Sequence, residues 1–516
     1  MRGIIPQKIK GFRDIDPQLN NLRHHVIAKA SKVYKNYGFE HWDTPALEYA
    51  DCLGKYMPDD DSVDQGVYSF RNPEIEPIHD EKGNRMVDEE GNFLMENHFL
   101  SLRYDLTAPL SRLYAEKLWT PAVRNNPNNF RPSLFRRYQY GPVYRFETKL
   151  DPGRFREFWQ LDFDTVGTSD ISADAETAMV LSDALEAIGL KRDTYRVKIN
   201  NRKVLKGFLV GLGLTDESLE QSVLRIVDKA DKIGQDGMML ELGRGRKDIS
   251  GAIIPGLGLE QSVISSIVDF LHGFSSAARK NILASLSNSK FMNPVFEEGL
   301  KELAGIDELL AQLGYEEDRV IFEPSLVRGM AYYTGPVFEV ESLQSFIDEK
   351  GLERRVGSIC GGGRYDGLVS RLLGLSVPAV GASIGVDRLC ELLVQTKSLE
   401  LDYSGPVIVL VFDTAMMTEY QKIAQELRAS DIAVEVYYGM QKNLKKQMAY
   451  ADQSRCSVAV LVGEDELKKG VVTLRNLKLG AELAATIADK NEWKEKVQIE
   501  VPRGEMVQKV KEMLSL

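Results

Sequence analysis

Residues 145–164 read RFETKLDPGRFREFWQLDFD. The stretch fits two strands joined by a loop around Pro152 and Gly153. Successive side chains of a strand point to opposite faces. One face of the second strand then carries Glu157, Trp159, Leu161 and Phe163 and is largely apolar, while the other carries Arg156, Phe158, Gln160, Asp162 and Asp164 and is mostly polar and charged. The preceding strand ends with Arg145 and Glu147 on a shared face. Two readings stay open. Opposite charges on a solvated sheet form cross-strand salt bridges of little energetic weight. Alternatively, the face floors a pocket for a zwitterionic or phosphorylated ligand. The planar fork of arginine suits phosphate, and Asp or Gln accepts from an ammonium or imidazole N–H.

Around this stretch the chain is organised in blocks. A helix is expected over 16–38, started by Asp16 or Pro17 and stopped by Gly38. FEHWDTPALE follows as a short strand that Pro45 confines to an edge or irregular position. Between 71 and 97 the fragments DEKGN and DEEGN predict two polar turns on a surface excursion, each leading into a short apolar strand. Strands then dominate to about 166, and a helix spans 171–188 with Asp170 or Ser172 as its cap. YRVKINNR reads as another strand. From about 203 to 314 most windows are amphipathic helices, with LEQSV on two of them, at 219–223 and 259–263. Strand character returns with RVIFEPSLVRGMAYYTGPVFEVE and VGSICGGGRYDGLV, so the helices interrupt one large antiparallel domain. After 404, strands and helices alternate in a small α/β domain whose tail, 493–516, ends in a helix. The expected domains are 1–202 and 319–400 as two parts of one core, 203–318 as an insertion, and 404–516.

Composition bounds the rest. A length of 516 residues suggests roughly three domains. The net charge of -11 argues against indiscriminate polyanion binding through a basic surface, though not against a local basic stripe. Cys52, Cys360, Cys390 and Cys456 lie far apart with no CxxC pair, as expected of reduced core thiols. The six histidines show no zinc-binding spacing, so no protein-bound metal is expected. No signal peptide and no apolar run of about 18 residues is seen, which makes the cytoplasm the default location and a membrane span unexpected.

Four further stretches carry possible chemistry. In LRYDLTAP, Asp105 sits beside Leu106 and Thr107 and reads first as a turn or helix cap. LVRGMAYYTGPVFE sets Arg328 near Tyr332 and Tyr333, a pair that fits either half-buried packing or an aromatic ligand. CGGGRYDG, with Tyr365, permits close backbone approach and does not fit a Walker A loop. GASIGVDRL places Arg388 early on a helix.

Taken together these stretches resemble a known family. GPVYRFE…GRFREFWQLDFD is similar to motif 2 of class II aminoacyl-tRNA synthetases, GASIGVDRL to motif 3, and GFEHWDTPALE to the dimer-forming motif 1. LVRGMAYYTGPVFE and GGGRYDGLV resemble the two signature motifs of histidyl-tRNA synthetases, although Ala331 stands where that family usually has an acidic residue. The resemblance covers nearly the whole chain. It implies an α+β class II fold: an antiparallel sheet flanked by helices, with a helical insertion and a C-terminal α/β anticodon-binding domain. It also implies activation of L-histidine with ATP and Mg²⁺, no tightly bound cofactor, charging of histidine tRNA, and a homodimer. Arg145 would hold the α-phosphate and the histidine carboxylate, Glu147 the adenine amino group, and Arg388 the γ-phosphate, with Arg154 free to reach ATP or the tRNA end. Asp105, Thr107 and Gln160 would receive the α-amino group, with Leu106 also among the histidine-binding residues. Asp164 and Tyr333 would bond the imidazole, with Tyr332 and Tyr365 completing the pocket. Arg328 would stabilise charge at the α-phosphate, making it and Arg145 the catalytic cations. In the last domain Lys442, Lys445 and Lys446 form either a solvated helix face or a phosphate-contacting stripe. The alternatives are the regulatory subunit of the histidine-biosynthetic ATP phosphoribosyltransferase, which typically lacks the last domain, and a non-catalytic synthetase-like tRNA sensor.

Overall fold

The computed structural model describes residues 5–53, 66–80, 83–88, 91–96, 99–118, 120–126, 130–147, 153–247, 251–273, 278–327, 333–348, 350–367, 369–399, 404–440, 443–484, 486–487 and 489–514. The chain divides into two units, 1–400 and 401–516.

The first unit is built on an eight-stranded sheet. Its strands are β1 (Glu40–His41), β2 (Phe135–Tyr144), β3 (Glu157–Val166), β4 (Tyr195–Asn201), β5 (Val320–Phe322), β6 (Pro336–Ser342), β7 (Ser358–Arg364) and β8 (Ala379–Gly385). Their order is β1-β2-β3-β8-β7-β6-β4-β5. The six central strands pair antiparallel, while β1 and β5 join the two edges in parallel. The opening stretch thus supplies nearly all of β3, while Arg145 and Glu147, expected at a strand end, lie just past the end of β2; the register is Tyr144↔Glu157, Gln139↔Asp162 and Arg137↔Asp164. Its connecting residues 148–152 lie outside the described residues.

One face of β3 is pinned by the opening helix, α1 (Pro17–Asn36). Asp16 caps α1 by accepting from the Leu19 amide at 2.8 Å, Pro17 fits its first position, and the chain turns away through Gly38 at φ +82°. Tyr34 of α1 is fully buried, its ring 4.8 Å from Phe163, and Phe39 reaches the same ring at 5.4 Å. Leu161 and Phe163 are buried beneath them. This apolar contact leaves the Gln160–Asp162–Asp164 face on the other side of the sheet.

Two further helices brace the sheet: α2 (Thr107–Leu118) and α3 (Ser172–Ile188). Among the described residues six helices lie between β4 and β5, from Arg202–Gly211 to Pro294–Gln312, with a small hairpin of Arg246–Lys247 and Ile253–Ile254. The first LEQSV copy lies within the helix Glu217–Asp228; in the second, Leu259 and Glu260 precede the helix Gln261–His272. β4 and β6, on either side of these helices in sequence, are direct neighbours in the sheet. In the excursion both polar turns form alike. Asp80 accepts from the Asn84 amide at 2.8 Å and Asp88 from the Asn92 amide at 2.9 Å, with Gly83 and Gly91 left-handed.

The second unit holds β9 (Val407–Val409), β10 (Val434–Val436), β11 (Val458–Leu461), β12 (Val471–Asn476) and β13 (Gln498–Pro502) in the order β10-β9-β11-β12-β13. The first three are parallel and the last two antiparallel. The tail therefore contributes an edge strand as well as the expected helix, Met506–Leu514. The sequence pattern missed this strand because QIEVP has few apolar residues and ends on a proline that only an edge tolerates. Cys360, Cys390 and Cys456 are buried as expected, while Cys52 is only half-buried. Among the described residues no helix is long and apolar enough to cross a membrane.

Candidate active site

A cavity of about 680 Å³ opens over the polar face of the central strands. It brings together residues far apart in sequence. From the set expected to hold the amino acid it is lined by Asp105, Thr107, Gln160, Asp164, Tyr333 and Tyr365; from the ATP set, by Arg145, Glu147, Arg154 and Arg388. Arg328 and Tyr332 lie outside the described residues, as does Lys442. Leu106 does not line the cavity. Its side chain is fully buried, and its carbonyl accepts from Arg137 Nη2 at 2.7 Å, because the turn that presents Asp105 points the next side chain inward.

The acidic part of the floor is held by neighbouring strands. Asp164 pairs with Arg137 of β2, Oδ2 to Nη2 at 3.0 Å, and accepts from the Tyr365 hydroxyl at 2.5 Å. Burial pushes its carboxyl up, while Arg137 and then Tyr365 oppose the rise. Asp105 is both a cap and a wall: it accepts from the Ala108 amide at 2.8 Å at the start of α2, and burial raises its pKa. Gln160 donates from Nε2 to Ser383 Oγ at 2.7 Å, and its Oε1 is buried without a partner.

Glycines make the room. A Cβ on Gly381 would lie 2.2 Å from Asp164 Oδ1, and one on Gly363 would lie 2.6 Å from the Tyr333 ring. The triple glycine lies in a strand, β7, whose bare backbone at Gly361 and Gly362 forms cavity floor. The arginine that follows it is structural: Arg364 forms a buried ion pair with Asp174 of α3 and donates to the Thr168 carbonyl at 3.0 Å.

The cationic wall is anchored by its stems. Arg145 Nε donates to the Tyr104 carbonyl at 2.8 Å, and its guanidinium stands 5.3 Å from the centre of the Phe158 ring. Arg154 lies 3.6 Å from Glu147. Arg388 sits in the first turn of α4 (Val386–Thr396) and donates to the Ser358 carbonyl at 2.8 Å. Its neighbour Asp387 accepts from Arg13, from Arg23 at 3.0 Å and from the Trp159 amide at 2.5 Å, which locks α4 onto β3.

Sequence reasoning missed several groups. Arg137, almost wholly buried, is known as the partner of Asp164 only from the β2–β3 register. Asp162 stands on the polar face of the opening strand, and burial with Asp164 nearby pushes its carboxyl to about 8. Lys198, 2.7 Å from Glu341, lines a further part of the cavity. That part also has Asp228 and His272, two residues from the helices between β4 and β5.

Chemically, such a cavity can take a molecule with an ammonium group against Gln160 and the acids, and hold phosphates against the arginines. Cations and acceptors placed around one space suit reactions in which two bound substrates react with each other. A central antiparallel sheet with this polar face fits the class II aminoacyl-tRNA synthetase core that the sequence motifs resemble. Sequence comparison is more specific. The histidyl-tRNA synthetase family profile matches residues 94–389 and the anticodon binding domain profile residues 406–513. A histidine–tRNA ligase of Ruegeria sp. (strain TM1040) is 45% identical over 98% of this chain and 95% of its own length. That of Paracoccus denitrificans is 42% identical over 98% and 97%. The crystal structure of histidyl-tRNA synthetase from Nostoc sp. PCC 7120 superposes with a TM-score of 0.68 at 26% identity, covering 99% of this chain and 100% of that one. A Bacillus halodurans ATP phosphoribosyltransferase regulatory subunit/histidyl-tRNA synthetase shares the fold at a TM-score of 0.61 and 21% identity, covering 87% and 97%. The chain belongs to the histidyl-tRNA synthetase family.

Proposed function

We propose that the protein activates L-histidine with ATP and transfers the histidyl group to the 3′ end of histidine tRNA. The observation that carries this reading is the convergence of Asp105, Gln160, Asp164 and Tyr333 with Arg145, Glu147 and Arg388 on one cavity, in a chain of this family. The near-complete match to histidine–tRNA ligases, last domain included, favours it over the regulatory-subunit and tRNA-sensor alternatives.

In the first step an oxygen of the histidine carboxylate attacks the α-phosphorus of ATP, the bond from that phosphorus to the bridging oxygen breaks, and pyrophosphate leaves. Arg145 and Arg328 would stabilise the charge that builds at the α-phosphate, and Arg388 would hold the γ-phosphate. Glu147 would accept from the adenine amino group, with Arg154 beside it. Mg²⁺ would enter with ATP as part of that substrate and neutralise phosphate charge. Asp105, Thr107 and Gln160 would take the α-ammonium, and Asp164 and Tyr333 the imidazole nitrogens, with Tyr332 and Tyr365 closing the pocket. An analogue lacking a ring nitrogen would leave buried polar groups unpaired, which gives strong discrimination. In the second step a ribose hydroxyl of the terminal adenosine attacks the acyl carbon and AMP leaves.

The same proposal treats 1–202 and 319–400 as the catalytic core, 203–318 as an insertion, and 404–516 as the anticodon-binding domain of a cytoplasmic homodimer. Lys445 and Lys446, exposed at the start of the helix Leu444–Gln453, are its candidate phosphate contacts. The test is histidine-dependent exchange of pyrophosphate into ATP. Exchange with histidine and not with the other amino acids is expected, and folded protein that fails to exchange refutes the reading.

A further inference from the structure

We infer that Arg13 is a positioning residue for ATP: with Gly11 it ties the arm that leads into β3, residues 153–156, to the start of α4, and so sets the spacing between the two sides of the proposed ATP site. The inference rests on that proposed site. Gly153, Arg154 and Phe155 on the arm line the cavity, as do Asp387 and Arg388 on α4, whereas Gly11 and Arg13 are not among the lining residues and act through them.

The arm needs a hold from outside the sheet. β3 begins at Glu157. Pairing extends one step past it, from the Arg145 amide to the Arg156 carbonyl at 2.9 Å, and Phe155 stands beyond that step. The N-terminal segment supplies the hold. The Arg156 amide donates to the Gly11 carbonyl at 2.9 Å. Gly11 is left-handed at φ +86°, and a Cβ on it would stand 2.6 Å from Arg156 Cγ, so glycine is what lets the two segments come this close. Two residues on, the Arg13 guanidinium lies 3.6 Å from the centre of the Phe155 ring and also pairs with Asp387. One planar cation thus joins the arm to α4. Across the same gap Gly153 packs on Arg388, where an added Cβ would lie 3.3 Å from Cγ. Phe12 extends the hold towards the outgoing arm: its ring is 6.1 Å from that of Tyr68, which is 6.0 Å from that of Phe146.

Asp387 does not depend on Arg13 alone. It also accepts from Arg23 at 3.0 Å and from the Trp159 amide, so its carboxylate stays partnered when Arg13 is removed. What is lost is the bridge to Phe155. A nucleotide held between Arg154 on one side and Arg388 on the other needs both cations at hydrogen-bond reach at once, so the spacing matters more than either group alone. The groups proposed for histidine are placed differently. Gln160 and Asp164 lie inside the β2–β3 ladder, opposite Gly141 and Arg137, and the sheet itself sets their positions. Loosening the arm should therefore weaken one substrate and spare the other.

The test uses the full-length protein in histidine-dependent pyrophosphate exchange, with Arg13→Met, Phe155→Leu and the double variant. Arg13→Met is expected to raise the KM for ATP roughly five- to tenfold, the weight of one well-placed cation–π contact. The KM for histidine should stay within about twofold. Phe155→Leu keeps the Arg13–Asp387 pair, and with it the fold, and should raise the KM for ATP by a similar factor. The double variant should add little to either single change, because both act through one contact. An unchanged KM for ATP in either single variant, a histidine KM that rises in step with it, or single effects that multiply in the double variant overturns the role of Arg13 while leaving the ATP site standing. A parent protein that performs no histidine-dependent exchange overturns both.

Discussion

Asp162 shows how much a single buried carboxyl costs this fold. Its ordinary pKa lies near 3.8, yet burial first, and the neighbouring Asp164 next, push it to about 8. Below pH 4 the group is protonated whether the chain is folded or not, and it costs nothing. Between about pH 4 and pH 8 the unfolded chain ionises while the folded one does not, so its contribution to stability falls as pH rises. Asn does not titrate. The melting temperature of ligand-free Asp162→Asn should therefore gain on that of the parent steadily from pH 5 to pH 8; a difference that is flat or shrinks with pH refutes the shift. The residue was visible in the sequence as one of three polar side chains alternating along WQLDFD. Its environment was not, because that depends on Ser383, Arg137 and Asp164 meeting across three strands.

At the scale of elements, strand alternation carried the reading. The apolar and polar sides of β3 followed from the two-residue period alone, and Leu161 and Phe163 lie buried against α1 as that period requires. Register did not follow from it, and register is what places Arg137 on Asp164 and Ser383 on Asp162. The glycines of β7 were legible as close approaches but not as to what approaches, and those of β8 were not singled out at all. For Gly381 the answer is Asp164 on one side and the Phe163 carbonyl, 2.6 Å from an added Cβ, on the other. Backbone cannot yield there, so Gly381→Ala must displace the carboxylate. We expect the histidine KM to rise about tenfold or more, with a loss of stability of about 1–3 kcal/mol from overpacking. Kinetics and melting close to those of the parent would show that the strands can part.

At the scale of the whole molecule, each unit has its own hydrophobic core. That of residues 401–516 runs through Ile408, Val409, Tyr420, Ile423, Val460 and Leu474, all fully buried. Among the described residues, those lining the cavity belong to the first unit. A chain ending near residue 400 should thus keep histidine-dependent pyrophosphate exchange within about threefold, as expected when no contact to the reacting groups is removed. It should charge histidine tRNA far more slowly, provided its melting curve stays cooperative. Undiminished charging would remove the last domain from tRNA recognition. The change at about 404 could be read from the onset of alternating strands and helices, whereas the Lys198–Glu341 part of the cavity could not, since its walls come from segments that sequence places more than a hundred residues apart.

One junction bears on how such a molecule could be rebuilt. The Arg202 amide donates to the Gly335 carbonyl at 3.0 Å, where β4 ends and β6 begins, so everything between them leaves and re-enters the sheet at one point. A segment whose ends already touch adds little closure entropy to the rest of the fold whatever its length. This makes the stretch a natural site for grafting, shortening or relocating the chain termini. The exceptions are β5 and the residues after it, which the sheet and the cavity both use, and the helix ends at Asp228 and His272, which line the cavity.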